Sequence, residues 1–162
     1  MALIPFQPLP YTLNMRLSIR VIGRVENNLT KRECVDAERL ISRIIVDPDY
    51  RDALDGIDSF SHLTIIFWLD RMSPRERRIL KVHPRGNTEI PLTGVFATHS
   101  PARPNPIAVT TVELIKRDDN ILIVRGLDAL SGTPVIDIKG YFPPGIPESN
   151  LRLPEWGENR HL

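Results

Sequence analysis

Between Thr98 and Ile107 the chain reads THSPARPNPI, with three prolines (Pro101, Pro104 and Pro106) inside six residues. Each proline fixes its own φ and removes a backbone donor. Each also pushes the residue before it toward extended conformation. Such a stretch cannot join a central strand, and it predicts a rigid loop presenting Thr98, His99, Ser100, Arg103 and Asn105. Polar groups held on a stiff loop lose little entropy when a ligand arrives, which suits a binding site. A proline-stiffened corner with a structural role alone is the other reading of the same residues.

Around this loop the sequence alternates in the manner of short strands. LSIRVIGRVEN from Leu17 reads as a strand bent at Gly23. The run ending Ile44-Ile45-Val46 before Asp47-Pro48 reads as a strand stopped by a turn. Asp49 to Leu54 reads as a short helix, with Gly56 just past its end. SHLTIIFWLD is apolar at nearly every position and rich in β-branched and aromatic residues, as in a buried strand. Further strands are predicted around Ile79–Val82, over Thr93–Thr98, over Ala108–Ile115, in ILIVRGLDAL and in PVIDIKGYF. Asp118-Asp119-Asn120 and Ser131-Gly132 serve as turns. About six to eight strands with one short helix make an all-β barrel or sandwich the expected class.

Length and composition set the remaining bounds. A chain of 162 residues makes one compact domain and buries roughly two-thirds of its unfolded surface. The expected organisation is an N-terminal arm over 1–16, the barrel domain over 17–145 and a loop-like tail over 146–162. The arm is broken by Pro5, Pro8 and Pro10 and lacks the charged start of a signal peptide. No run reaches the length of a membrane-spanning helix. The single cysteine, Cys34, allows no internal disulfide and no multi-cysteine zinc site. His62, His83 and His99 match no short ligand spacing, so no metal is expected. The dinucleotide fingerprint, the Walker loop and the serine-nucleophile elbow are absent.

Net charge is only +1, yet it is unevenly spread. From Arg71 to Arg103 there are seven basic residues against two acids, Glu76 and Glu89. This local excess is compatible with an anionic partner, for which Arg75, Arg77, Arg78, Lys81 and Arg85 are the candidate contacts. A solvated surface whose charges meet acids elsewhere is the alternative.

Four blocks occur in order: IGRVEN from Ile22, LDGIDSFSHLTIIFWL from Leu54, GVFATHSPARPNPIAVTTVELI from Gly94, and LDALSGTPVIDIKGYFP from Leu127. Together they resemble the TrmO/YaeB-like (TsaA-like) proteins over residues 17–145. The resemblance implies a β-barrel that forms a homodimer and binds S-adenosyl-L-methionine, while the single cysteine makes a reducing, cytoplasmic home the expectation. It implies methyl transfer to N6 of threonylcarbamoyladenosine beside a tRNA anticodon. Carried over by position, it assigns the cofactor to Leu69, Asp70, Phe96, Thr98, His99, Ser100, Arg103, Val109, Leu130, Ser131, Gly132 and Thr133. His99 stands where the family usually has arginine, Asp70 where histidine is common, and Ser131 where an acid is usual.

Methyl transfer to nitrogen is an in-line displacement in which alignment counts most, so no conspicuous catalytic dyad is required. No catalytic residue is assigned. Phe67, Trp68 and Phe96 either face the cofactor's ring or sulfonium or belong to the core. Two other functions stay open: the same cofactor with a small-molecule or different RNA substrate, and a non-enzymatic module that binds an adenosyl ligand.

Overall fold

The computed structural model describes residues 17–30 and 37–143 together with Pro154 and Trp156. The arm over 1–16, Cys34 and nearly all of the tail lie outside the described residues. Among the described residues there are eight strands: β1 (Gly23–Glu26), β2 (Ile41–Val46), β3 (His62–Trp68), β4 (Lys81–Val82), β5 (Thr93–Gly94), β6 (Ile107–Asp118), β7 (Ile121–Arg125) and β8 (Pro134–Gly140). Six of them close into a barrel in the order β1-β2-β7-β6-β3-β8, while β4 and β5 form a separate two-stranded sheet. Every ladder is antiparallel. Closure leaves the barrel without an open edge.

Period-two alternation builds the core. Val25, Ile44, Val46, Leu63, Ile65, Phe67, Val112, Leu122, Val124 and Val135 are all buried, and their strand neighbours are more exposed. Side chains two apart share a face of a strand, so β2, β3 and β7 send every second residue inward. Leu54 and Ile57, on short 3-10 helices between β2 and β3, are buried in the same cluster. Arg117 fastens this corner, donating to the Leu54 carbonyl at 2.9 Å and pairing with Asp55 at 3.3 Å and Asp58 at 3.7 Å.

Three expectations about strands need correction. Leu17, Ile19 and Val21 are exposed, and the first strand begins only at Gly23. Alternation from Leu17 to Val21 does not reach a pairing partner, whereas Ile22 packs against the core and donates its N–H to Val135 O at 2.9 Å. Gly23 is required by close approach, since a Cβ there would stand 2.5 Å from the Ile45 carbonyl oxygen. The strand expected over Thr93–Thr98 stops after Gly94, and Val95–Ala97 forms a 3-10 turn that buries Val95 and turns Phe96 outward. The strand expected around Ile79–Val82 narrows to Lys81–Val82, because Arg78 and Ile79 close a 3-10 turn with the carbonyls of Arg75 and Glu76. The helix expected over Asp49–Leu54 is present as a 3-10 helix over Pro48–Leu54, capped by Asp47, whose carboxylate accepts from Asp49 N at 3.0 Å.

Between β3 and β6 the chain leaves the barrel for residues 69–106 and returns beside its exit. Trp68 pairs with Ile107 across the ladder, and Leu69 N donates to Pro106 O at 2.8 Å. This excursion carries β4, β5 and the proline loop.

Candidate cofactor pocket

Register decides which residues meet. Antiparallel pairing sets the end of β3 against the start of β6 (Trp68 with Ile107) and against the start of β8 (Phe67 with Val135). Val25, near the end of β1, accepts from Gly132 N at 2.8 Å, so the β7–β8 turn reaches the same rim. There the proline loop folds over the barrel end. The result is a cavity of about 430 Å³ lined by Leu29, Phe67, Leu69–Arg71, His99–Pro101, Arg103, Ile107–Thr110, Asp128–Leu130 and Thr133. That volume falls in the range of small-ligand sites.

Of the twelve residues assigned to the cofactor, eight line this cavity together: Leu69, Asp70, His99, Ser100, Arg103, Val109, Leu130 and Thr133. Thr98 does not line it, because the turn at Val95–Ala97 carries it to the far side of the loop. There its hydroxyl donates to Val95 O at 3.0 Å and accepts from Ser100 N at 3.2 Å. Ser131 and Gly132 sit behind the wall in the tight turn, which needs the positive φ of 88° at Gly132. Phe96 is 82% exposed and is not part of the lining. Phe67 belongs to the core and also touches the cavity, while Trp68 faces elsewhere, under the Arg77 guanidinium at 5.4 Å.

Arg103 is the loop's internal brace. Its Nε donates to Ser100 O at 2.9 Å, and its Nη2 donates to Val95 O at 3.0 Å and Thr98 O at 2.6 Å. Three carbonyls separated along the chain are gathered on one planar fork, a geometry that lysine's point charge does not reproduce. Arg71 does the same across the cavity, donating to Thr30 O at 2.7 Å and Ser131 O at 2.9 Å. Sequence reasoning passed over Arg71 as a site residue, and also Asn27. Asn27 Nδ2 donates to Ala129 O and to the buried Ser42 Oγ, both at 2.9 Å, and its Oδ1 accepts from Leu29 N at 2.9 Å. These bonds fix two lining segments against each other. The one local hint was the Asn27-Asn28 pair after a strand, which marks a turn.

The basic candidates divide into separate roles. Arg77 donates to Met72 O at 3.0 Å and covers Trp68, so its cation is part of the local scaffold. Arg75 and Arg78 are exposed on the turn before β4. Lys81 and Arg85 line a groove beside the cavity. The histidines lie in different settings: His62 beside Tyr141, His83 donating through Nδ1 to Ile90 O at 2.7 Å, and His99 in the cavity. Among the described residues no three His, Cys, Asp or Glu side chains gather as metal ligands.

The fold and site define a class: a closed antiparallel barrel with a ligand cavity at one rim, roofed by a proline-stiffened loop. Residues 26–144 match the tRNA-methyltransferase O N-terminal domain, and the chain belongs to that family. It is 43% identical to a probable S-adenosyl-L-methionine-binding protein of Methanothermobacter thermautotrophicus, over 80% of this chain and 93% of that protein. It is 41% identical to the tRNA (adenine(37)-N6)-methyltransferase of Escherichia coli, over 62% of this chain but 44% of that one. The crystal structure of TrmO from Pseudomonas aeruginosa superposes with a TM-score of 0.66 at 27% identity, covering 85% of this chain and 61% of that chain. This chain therefore spans about three-fifths of the TrmO structure and less than half of the Escherichia coli enzyme.

Proposed function

We propose that this protein is an S-adenosyl-L-methionine-dependent methyltransferase whose acceptor is the N6 nitrogen of an adenosine in tRNA, beside the anticodon. The observation that carries this reading is the rim cavity. Family blocks far apart in sequence converge on it, and its lining has the chemistry an adenosyl sulfonium needs. Leu69, Ala108, Val109 and Leu130 give apolar walls for a purine. Asp70 and Asp128 offer carboxylates to ribose hydroxyls, to an ammonium group and to the positive charge at sulfur. Ser100 and His99 supply polar contacts at the loop edge. Membership in the family and the relatives' names support the same assignment.

When bound, the cofactor supplies an activated methyl group on a cationic sulfur. The chain's own contribution is alignment. Arg103 and Arg71 hold opposite walls of the cavity by their carbonyls, so the ligand meets a preformed shape and little ordering cost remains. No residue is assigned as the base for the acceptor's proton. Arg75, Arg78, Lys81 and Arg85 provide the positive surface for the RNA backbone.

The reading extends to a cytoplasmic homodimer, with residues 17–145 as the working domain between an arm and a tail. Exposed Leu80 and Phe96 supply apolar surface for pairing. Sedimentation at micromolar concentration tests the dimer, and a monomer there removes it from the reading. For the activity, the decisive experiment is mass spectrometry of tRNA nucleosides incubated with and without the protein and cofactor. A gain of one methyl on an adenosine derivative is expected. Calorimetry on protein stripped of bound ligand checks the cofactor separately, and a folded sample with no heat of binding overturns the assignment.

A further inference from the structure

Beside the cofactor cavity lies a second groove, of about 1160 Å³, on the other side of the same loop. His99, Ser100 and Pro101 line both spaces, so a single turn of chain separates them. The groove's far walls come from the β4–β5 hairpin through Ile79, Lys81, Arg85 and Leu92, and from the tail through Pro154 and Trp156. None of its described lining residues is acidic, and Lys81 brings a positive charge to it. It therefore combines positive charge with a half-buried indole, Trp156. An acidic peptide would use the charge and have no call on the ring. A nucleic-acid strand uses both, because every base has a face to stack and every linkage carries a negative charge.

We propose that this groove receives the acceptor strand, with a base stacked on Trp156 and a flanking phosphate against Lys81. The proposal rests on the methyltransferase reading in requiring an RNA substrate. It goes beyond that reading in placing the strand and in giving the tail a part in recognition. A base seated there has only the His99–Pro101 loop between itself and the cofactor cavity, so a neighbouring nucleotide splayed over that loop reaches the methyl donor.

The test uses the full chain carrying Trp68→Phe, which leaves Trp156 as the sole tryptophan of the two present. With S-adenosylhomocysteine added in excess, unfractionated tRNA and a single-stranded oligoadenylate are titrated while tryptophan fluorescence is followed. Saturable quenching by both is expected. In filter binding, Trp156→Ala weakens RNA association about tenfold while Trp156→Phe restores most of it, since stacking tolerates any aromatic ring. Lys81→Gln flattens the salt dependence of RNA binding by about one counterion. Calorimetric affinity for S-adenosylhomocysteine stays within about twofold in all three, which also reports that each variant is folded. RNA binding by Trp156→Ala equal to the parent overturns the proposal. So does quenching that follows protein concentration instead of RNA, the mark of a second copy over the groove, or polyglutamate competing as well as RNA. If RNA quenches Trp156 but S-adenosylhomocysteine gives no heat, the cofactor reading fails and the groove stands. The reverse pattern removes the groove alone.

Discussion

The barrel and the excursion over residues 69–106 are held together by different forces. In the barrel, ladders satisfy the backbone and alternate residues bury a continuous apolar cluster. In the excursion Met72, Val95 and Ala102 are buried, with the prolines Pro84 and Pro106, and regular pairing is limited to Lys81 with Gly94 and Val82 with Thr93. Arginines replace the ladder there. Arg71, Arg77 and Arg103 direct guanidinium donors at main-chain carbonyls of Thr30, Ser131, Met72, Ser100, Val95 and Thr98. Hydrophobic burial is strong but undirected, whereas these bonds are directional and fix positions. The barrel sets stability, and the excursion sets the shape of the site. A basic segment thus need not be a binding surface, since Arg71, Arg77 and Arg103 are committed to the fold.

The largest effect belongs to the barrel. Leu63→Ala empties a fully buried position and is expected to cost roughly 2–5 kcal/mol. Urea unfolding measures the loss, and cofactor affinity in the surviving folded fraction should be near parental. A stable protein with lost affinity would place site shape in the barrel and break the comparison. Arg103→Lys should do the opposite. The charge remains but the fork is lost, and methyl transfer is expected to fall on the order of a hundredfold from misalignment. The melting temperature should shift by only a few degrees. Parental turnover in steady-state kinetics would show that the brace is dispensable.

Asn27 lies at the seam between the regions and sharpens the contrast. Asn27→Leu leaves Ala129 O, Leu29 N and the buried Ser42 hydroxyl without their partner. A stability loss of about 1–3 kcal/mol is expected. Cofactor affinity should fall along with it, because Leu29 and Ala129 line the cavity. Unchanged affinity at reduced stability would confine Asn27 to the barrel. The smallest effect on the fold is expected at the exposed cations. Arg75→Ala with Arg78→Ala should stay within about 0.5 kcal/mol of the parent in stability. The same double variant should weaken tRNA binding and reduce its salt slope by about two. Arg77→Ala should lower stability by about 1 kcal/mol through the lost Trp68 contact and carbonyl bond. Equal behaviour of the exposed pair and Arg77 in thermal melts would erase the distinction between scaffold and surface.

By itself the sequence determined the all-β class, the main barrel strands, the rigidity of the proline loop and the family blocks that flank the cavity. Those features are local, or ordered along the chain, and side-chain periodicity and proline sterics act within a few residues. It could not show that β2 pairs with β7, that Trp68 pairs with Ile107, or that the strand before the loop ends at Gly94. Nor could it separate Arg77, which braces the fold, from Arg75 and Arg78, which face solvent. These were decided by tertiary structure, because a guanidinium's partner is a carbonyl, every residue carries one, and only the folded chain selects which carbonyl comes within reach.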